Sequence, residues 1–517
     1  MNKQKDSDIN NKRIAKNTLF LYFRMFLLML IGLYTSRVVL KTLGVTDYGI
    51  YNVVGGVVGM FAIVSSSLSV SISRYLTFEL GKSDINRLKT IFSTSVSIQI
   101  LMGLIILILV EVLGTWFLYH KMVIPANRMT AAYWVLQFSL LAFIVGLISV
   151  PYNASIIAHE KMSAFAYISI IEGVGKLAIA FLILVSPIDK LVFYAFLLML
   201  MSLFIRFIYG KYCGKHFEEC HYHMFIDKKL LKEMVGFAGW SSFSSIAYTC
   251  YNTGLNILLN LFFGPVVNAA RGIMAQVQNA VKSFSSNFLT AINPQIIKSY
   301  AANDLRRVYS LVYEGSKFSF YLLYILALPI IIKTEKILSI WLSSYPEHTV
   351  NFIRLILAIL LIDSFGNCLY TTQMASGKIK NYQIITGGMM LLILPIAYLC
   401  LKVGMDAESV FVVYLIILAI VQICSIYIVH ITSGMPIRDY INRVIVKCMI
   451  VVATSLPISI LFNHIIPDTL IGFIIVCFFC VLVTMSCIYL LGLTKSEKAF
   501  VTAKSHELII KLRGFRK

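Results

Sequence analysis

Runs of about twenty apolar residues recur along this chain from Leu19 to Leu493. A helix of that length matches the roughly 30 Å hydrocarbon core of a bilayer. In lipid the backbone must satisfy its own hydrogen bonds, which leaves helices or closed barrels. The runs lack strand-type alternation, so the pattern predicts helices. Composition agrees: 59% of residues are hydrophobic and 13% charged, and mean hydropathy is +0.82. No soluble globular class has that balance. Fourteen spans are predicted, at 18–40, 49–72, 90–113, 130–157, 163–186, 190–210, 234–262, 266–293, 308–332, 352–375, 381–401, 408–432, 444–464 and 469–493.

The net charge of +21 lies in the short loops between the runs, without the basic and aromatic motifs of a nucleic-acid module. No nucleic-acid partner is expected. With residues at span ends assigned to the adjoining loop, one set of loops holds about 32 Lys and Arg and the other about 10. That bias predicts a multi-pass membrane protein with both termini cytoplasmic. The first 17 residues are polar and charged, and no short apolar core with a small-residue cleavage site follows, so no cleavable signal is expected. The ten cysteines are scattered. Cys477 and Cys480 form a CxxC inside an apolar run and read as small hydrophobes. Cys213, Cys220, His221 and His223 match no zinc spacing, so no metal is predicted.

The chain repeats itself. At a shift of 220, Gly44 meets Gly264, Val57 meets Val277, Ser65 and Ser66 meet Ser285 and Ser286, and Asp84 and Arg87 meet Asp304 and Arg307. At a shift of 217, Ala158 and Lys161 meet Ala375 and Lys378. Six spans separate the matches, so the repeat is parallel, with a pseudo-two-fold along the membrane normal. The predicted organisation is an N-tail (1–17), a first six-helix lobe (18–210), a cytoplasmic connector (211–233), a second six-helix lobe (234–432), two further helices (433–493) and a basic C-tail (494–517). Parallel lobes are a transporter plan, with substrate held between them.

One span is unexpectedly polar. In "GPVVNAARGIMAQVQNAVKSFSSNF", beginning at Gly264, the residues Asn268, Arg271, Ala275, Gln278, Asn279, Lys282 and Ser286 step by three and four along one face. Charged residues at mid-bilayer cost roughly 2.5–3.5 kcal/mol each on insertion scales. A wet, cation-lined cavity explains the whole face. Snorkelling and polar contacts between helices are the competing explanation, best suited to Arg271 near the span's end. Span 1 adds Arg24 and Arg37. Cations outnumber acids along this proposed cavity, which favours an anionic substrate such as a phosphate. Asp363 and Glu172 are candidates for coupling or structural roles, Glu172 forming a favourable i,i+4 pair with Lys176. No P-loop, GxSxG or HExxH motif occurs, and no long outer loop is present to carry chemistry. The reading is a non-enzyme, without cofactors.

Several stretches carry a family likeness. "TSRVVLKTLGVTDYGIYNVVGGVVGMFAIV", "FGPVVNAARGIMAQVQNAV", "INPQIIKSYAANDL", "SVPYNASIIAHEKM" and "ILSIWLSSYPEHTVNFIRL" resemble bacterial polysaccharide exporters and O-antigen flippases (Wzx-type) of the multidrug/oligosaccharidyl-lipid/polysaccharide (MOP) superfamily. The resemblance implies an all-α membrane protein of about 14 helices, in two six-helix lobes plus two C-terminal helices, MOP/MATE-like. It implies a flippase for undecaprenyl-pyrophosphate-linked oligosaccharide, the repeat unit of O-antigen or capsule lipopolysaccharide assembly, moving from the cytoplasmic to the periplasmic leaflet of the bacterial inner membrane by alternating access. By position, Arg24 and Arg271 are similar to substrate-binding arginines of the related lipid II flippase. An H+ or Na+ gradient as energy source, and cooperation with glycosyltransferases and a glycan polymerase, are inherited from the same resemblance. The multidrug branch of the superfamily is the alternative. Its members often carry an acid in span 1, where this chain has Arg24 and no Asp or Glu between Thr18 and Leu40. A membrane glycosyltransferase or polymerase is the reading from another class.

Overall fold

A computed structural model describes residues 2–499 apart from 60, 121, 123, 224–226, 343, 344 and 496. From residue 500 onward the expected C-tail lies outside the described residues. No strand occurs among the described residues. The chain runs through α1 (Asn2–Gly59), α2 (Ala62–Lys82), α3 (Ile85–Leu109), α4 (Thr115–His120), α5 (Met129–Ala158), α6 (Met162–Leu182) and α7 (Lys190–His216). It continues through α8 (Lys228–Phe263), α9 (Pro265–Ala301), α10 (Leu305–Ile332), α11 (Thr334–Trp341), α12 (Thr349–Asp363), α13 (Gly366–Ser376) and α14 (Ile379–Leu391). The last helices are α15 (Ile393–Lys402), α16 (Ser409–Ser433), α17 (Ile437–Tyr440), α18 (Val446–Ile465) and α19 (Leu470–Cys487).

Every predicted span coincides with helix, but only eleven segments among the described residues are both long and apolar enough to cross a membrane on their own merits. The three that fall short are the second, seventh and eighth spans, in α1–α2, α8 and α9. The second is divided between α1 and α2, neither piece of which is long and apolar enough alone, and the other two are polar in sequence. The α2 helix opens "AIVSSSLSVSIS", α8 carries "GWSSFSSIAYTCYNTGLN", and α9 carries the polar face described above. Hydroxyls can bond back to the carbonyl four residues earlier, as Thr249 does to Ser245 at 2.9 Å, so these helices form without being uniformly apolar.

The repeat reappears as backbone conformation. Gly44 breaks α1 at φ +81, and Gly264 separates α8 from α9 at φ +79. Glycine enters this left-handed region without a Cβ penalty. Ser83 and Asn303, again 220 apart, both turn left-handed at φ +61 and +57. Each is followed by an aspartate that caps the next helix: Asp84 accepts from the Arg87 amide at 3.0 Å, and Asp304 from the Arg307 amide at 3.2 Å. Glu160 and Gly377, 217 apart, form a third left-handed pair at φ +59 and +76.

Two compact units emerge from the packing. Unit 1 comprises 1–249, 290–308 and 371–387, and unit 2 comprises 250–289, 309–370 and 388–517. The division runs through α8, α9, α10, α13 and α14. Unit 1 has a core around Ile72, Phe92, Tyr152 and Met234, and a second around Val54, Leu118 and Leu136. Unit 2 is built on Tyr251, Phe352, Leu357 and Phe411, with the buried Tyr251 and Tyr414 hydroxyls bonded at 2.8 Å. Large apolar side chains such as Leu30, Ile108, Phe207, Ile423 and Phe478 stay exposed, as a lipid-facing exterior requires. In unit 1 the ends of α2 and α9 meet at Gly81. A Cβ there would lie 2.7 Å from the Lys298 carbonyl oxygen and 2.8 Å from the Ala301 Cβ.

Candidate functional site

The membrane cations divide between the units. In unit 1, the Arg24 guanidinium stands 4.3 Å over the Phe165 ring, and its Nη1 donates to Ser169 Oγ at 3.4 Å. Both partners lie on α6, so an aromatic face and a hydroxyl substitute for water around this charge. Arg37 is exposed. Glu172 and Lys176 pair at 2.6 Å on α6 with both side chains well exposed, an arrangement of small energetic weight.

In unit 2, Arg271 is 8% exposed. Its Nη2 donates to the Asn252 backbone oxygen at 2.7 Å and to Asn252 Oδ1 at 2.6 Å. The Gly264 corner returns α9 beside α8, which brings Asn252 within reach. Asn268 and Gln278 are half-buried, and Asn279 is exposed. The Asn268 Oδ1 is buried without a hydrogen-bond partner. Lys282 lies within electrostatic reach of Asp363 at the end of α12. The structure thus joins Arg271 with Asn252, and Glu172 with Lys176.

Polar links also tie loops together. On the side with few basic residues, Arg128 bonds both Asp47 and Asp189, joining the loops after spans 1, 3 and 5 in unit 1. Asp189 also accepts from the amides of Leu191 and Val192 at the start of α7. Burial alone would raise its carboxyl, but Arg128 and these amides outweigh it and hold the group below the usual carboxylate value. In unit 2 the corresponding link is His348 with Glu408 at 2.8 Å, supported by Asn351 at 2.9 Å. His348 is 220 residues beyond Arg128, and Glu408 is 219 beyond Asp189.

On the basic side of unit 1, the fully buried Glu160 carboxylate accepts from Gln295 at 2.6 Å and Lys298 at 2.9 Å, both near the end of α9. Arg74, near the end of α2, instead donates Nε to the Met374 oxygen at 3.0 Å and Nη2 to the Ala375 oxygen at 3.1 Å. It therefore caps the negative end of α13. Arg74 escaped the sequence reading because the second span was ended at 72, which made this residue a loop charge. Its continuation in helical register through "SRYLTFELGK" was the available signal.

The fold has solved counterparts. A MATE transporter in the bent conformation matches at a TM-score of 0.72 and 12% identity, covering 82% of this chain and 96% of that one. MATE in complex with MaL6 matches at 0.70 and 13%, with the same coverage. A MOP superfamily transporter from Pyrococcus furiosus, reported with a binding pocket of reversed polarity, matches at 0.69 and 13%, covering 83% of this chain and 96% of that one. At such identities the likeness establishes the fold, which is that of MOP superfamily transporters. No curated protein matches the chain. The profile of the family described as polysaccharide biosynthesis protein matches residues 14–300, more than half of the length, and the chain belongs to that family.

Proposed function

We propose that this protein is a flippase for lipid-linked oligosaccharide, carrying an undecaprenyl-diphosphate-linked unit from the cytoplasmic to the periplasmic leaflet of the inner membrane. The observation that carries the reading is Arg271: a guanidinium buried in a membrane helix and hydrogen-bonded to the neutral oxygens of Asn252. Such a charge is costly in lipid and tends to mark a substrate path. Its fork of donors suits a diphosphate. On the same helix Lys282 would add positive charge, and Asn268, Gln278 and Asn279 would bond sugar hydroxyls; Arg24 and Arg37 of the first span are further candidate cations for the substrate. Family membership supports a polysaccharide substrate. Asp363 beside Lys282 is the candidate for coupling to an H+ or Na+ gradient.

Deletion of the gene should abolish surface polysaccharide and trap complete lipid-linked units on the cytoplasmic side. An Arg271→Ala protein, inserted at normal level, should leave the same trapped intermediate. Intact surface glycan with raised sensitivity to small toxic cations would instead establish a multidrug exporter of the same fold.

A further inference from the structure

The turns at Glu160 and Gly377 are equivalent in the repeat and share a left-handed backbone. The first is filled. Its carboxylate sits buried against Gln295 and Lys298 from α9. The repeat places Tyr75 opposite Gln295 and Phe78 opposite Lys298, so α2 should present its own groups to the second turn in the same way. It does, with Arg74 one helical turn before Phe78. The second turn, however, has glycine where the first has glutamate. A Cβ at Gly377 would lie only 2.8 Å from Arg74 Nη2. Where the first turn supplies an anion to the cation facing it, the second lets the Arg74 guanidinium close against the backbone and leaves open space beside it.

That space is a cavity of about 540 Å³, within the roughly 300–1,000 Å³ of small-molecule sites. Arg74, Arg87, Lys378 and Lys380 line it, against the carboxylates of Glu79 and Glu233. Cations therefore exceed carboxylates by two, although Arg87 is also paired to Asp227 at 3.1 Å. Arg74 is 93% buried by its 7% exposure and uses two donors on carbonyl oxygens; a guanidinium has five. The aromatic rings of Tyr75, Phe78, Phe237 and Trp240 complete the wall, and Lys380 Nζ lies 5.2 Å from the Trp240 ring centroid. Cations suit phosphate oxygens, carboxylates suit sugar hydroxyls, and an aromatic face suits the apolar face of a sugar ring.

We propose that this cavity, on the side the charge bias assigns to the cytoplasm, is a binding site for a diphosphate-linked sugar. An anionic oxygen of the ligand takes the place beside Arg74 that corresponds to the Glu160 carboxylate in the first repeat. The same chemistry is offered by a lipid-linked diphosphate sugar, which rests on the flippase reading, and by a soluble nucleotide sugar, which does not.

The test measures binding to the full-length protein in nanodiscs with three probes: undecaprenyl-diphosphate-N-acetylglucosamine, UDP-N-acetylglucosamine and inorganic pyrophosphate. Lys380→Ala and Trp240→Ala should each weaken binding of a sugar diphosphate about tenfold. Lys380→Ala should also weaken pyrophosphate, whereas Trp240→Ala should leave it unchanged. Gly377→Glu, which installs the carboxylate of the first repeat, should abolish binding of all three. Dependence on these residues with the lipid-linked probe alone identifies a membrane substrate, and with UDP-N-acetylglucosamine as well, a soluble one. Absence of binding, or binding indifferent to Lys380 and Trp240 in protein that elutes and melts as wild type, overturns the proposal. The two readings fail separately. Trapped lipid-linked units in the Arg271→Ala strain with no binding in this cavity would leave the flippase standing without this site. Residue-dependent binding with normal glycan export would do the reverse.

Discussion

Glu160 and Gly377 occupy the same kind of turn and solve it oppositely. Glu160 accepts a left-handed φ of +59 that a side chain rarely adopts, and in return delivers a buried carboxylate to Lys298 and Gln295. Gly377 takes φ +76 freely and delivers nothing, leaving Arg74 to cap the carbonyls of α13. The first turn is a closed, fully paired junction. The second keeps a similar connection through backbone atoms and opens a cavity beside it. In a duplicated chain, one residue type decides whether a junction is filled or hollow.

Glu160→Ala should cost the most, about 3–5 kcal/mol, because it strands a partly buried lysine as well as removing two bonds. Thermal unfolding in a fixed detergent reads it, and a loss below 1 kcal/mol would mean the junction is not what holds this turn. Arg74→Met, which takes its charge away entirely, should cost less, about 2 kcal/mol, from two charge-assisted bonds lost. Equal losses at the two sites would erase the asymmetry. Gly377→Ala should cost about 1–2 kcal/mol from backbone strain, with the Arg74 guanidinium, 2.8 Å from the added Cβ, having to shift as well. Glu160→Gly should then lose less than Glu160→Ala, since it relieves that strain, and the difference between the two variants measures it directly.

The smallest effect concerns pH. The Asp189 carboxyl is held below its ordinary value, so the link to Arg128 is fully present above the unfolded value of about 3.9. It is lost only as pH falls through the lower folded value. Unfolding midpoints of wild type and Asp189→Asn should therefore differ by a constant amount from pH 8 to 5 and converge below about pH 4. Convergence already at pH 6 would break this assignment.

Much of the fold was legible because it is written locally. Apolar runs specify spans, and Gly44 with Gly264 and Asp84 with Asp304 announce corners and caps within a few residues of where they act. Even the polar eighth span could be placed, since the repeat aligns it with the second. The candidate site was legible only as composition. Arg271 could be read as a cation in a membrane helix, but its partner Asn252 depends on how sharply Gly264 turns the chain. The link from Arg74 to Met374 joins residues 300 apart, and that from Lys298 to Glu160 joins residues 138 apart. Neither residue type nor spacing specifies a partner at such distances, because packing chooses it.

At Gly81 the helices α2 and α9 touch backbone to backbone, with no room for a side chain between them. The second helix of each repeat ends at this pinch point. A single added methyl there would act as a wedge, prising the two ends apart without altering any charge. Gly81→Ala thus offers a mechanical lever on unit 1, independent of every polar group that surrounds it.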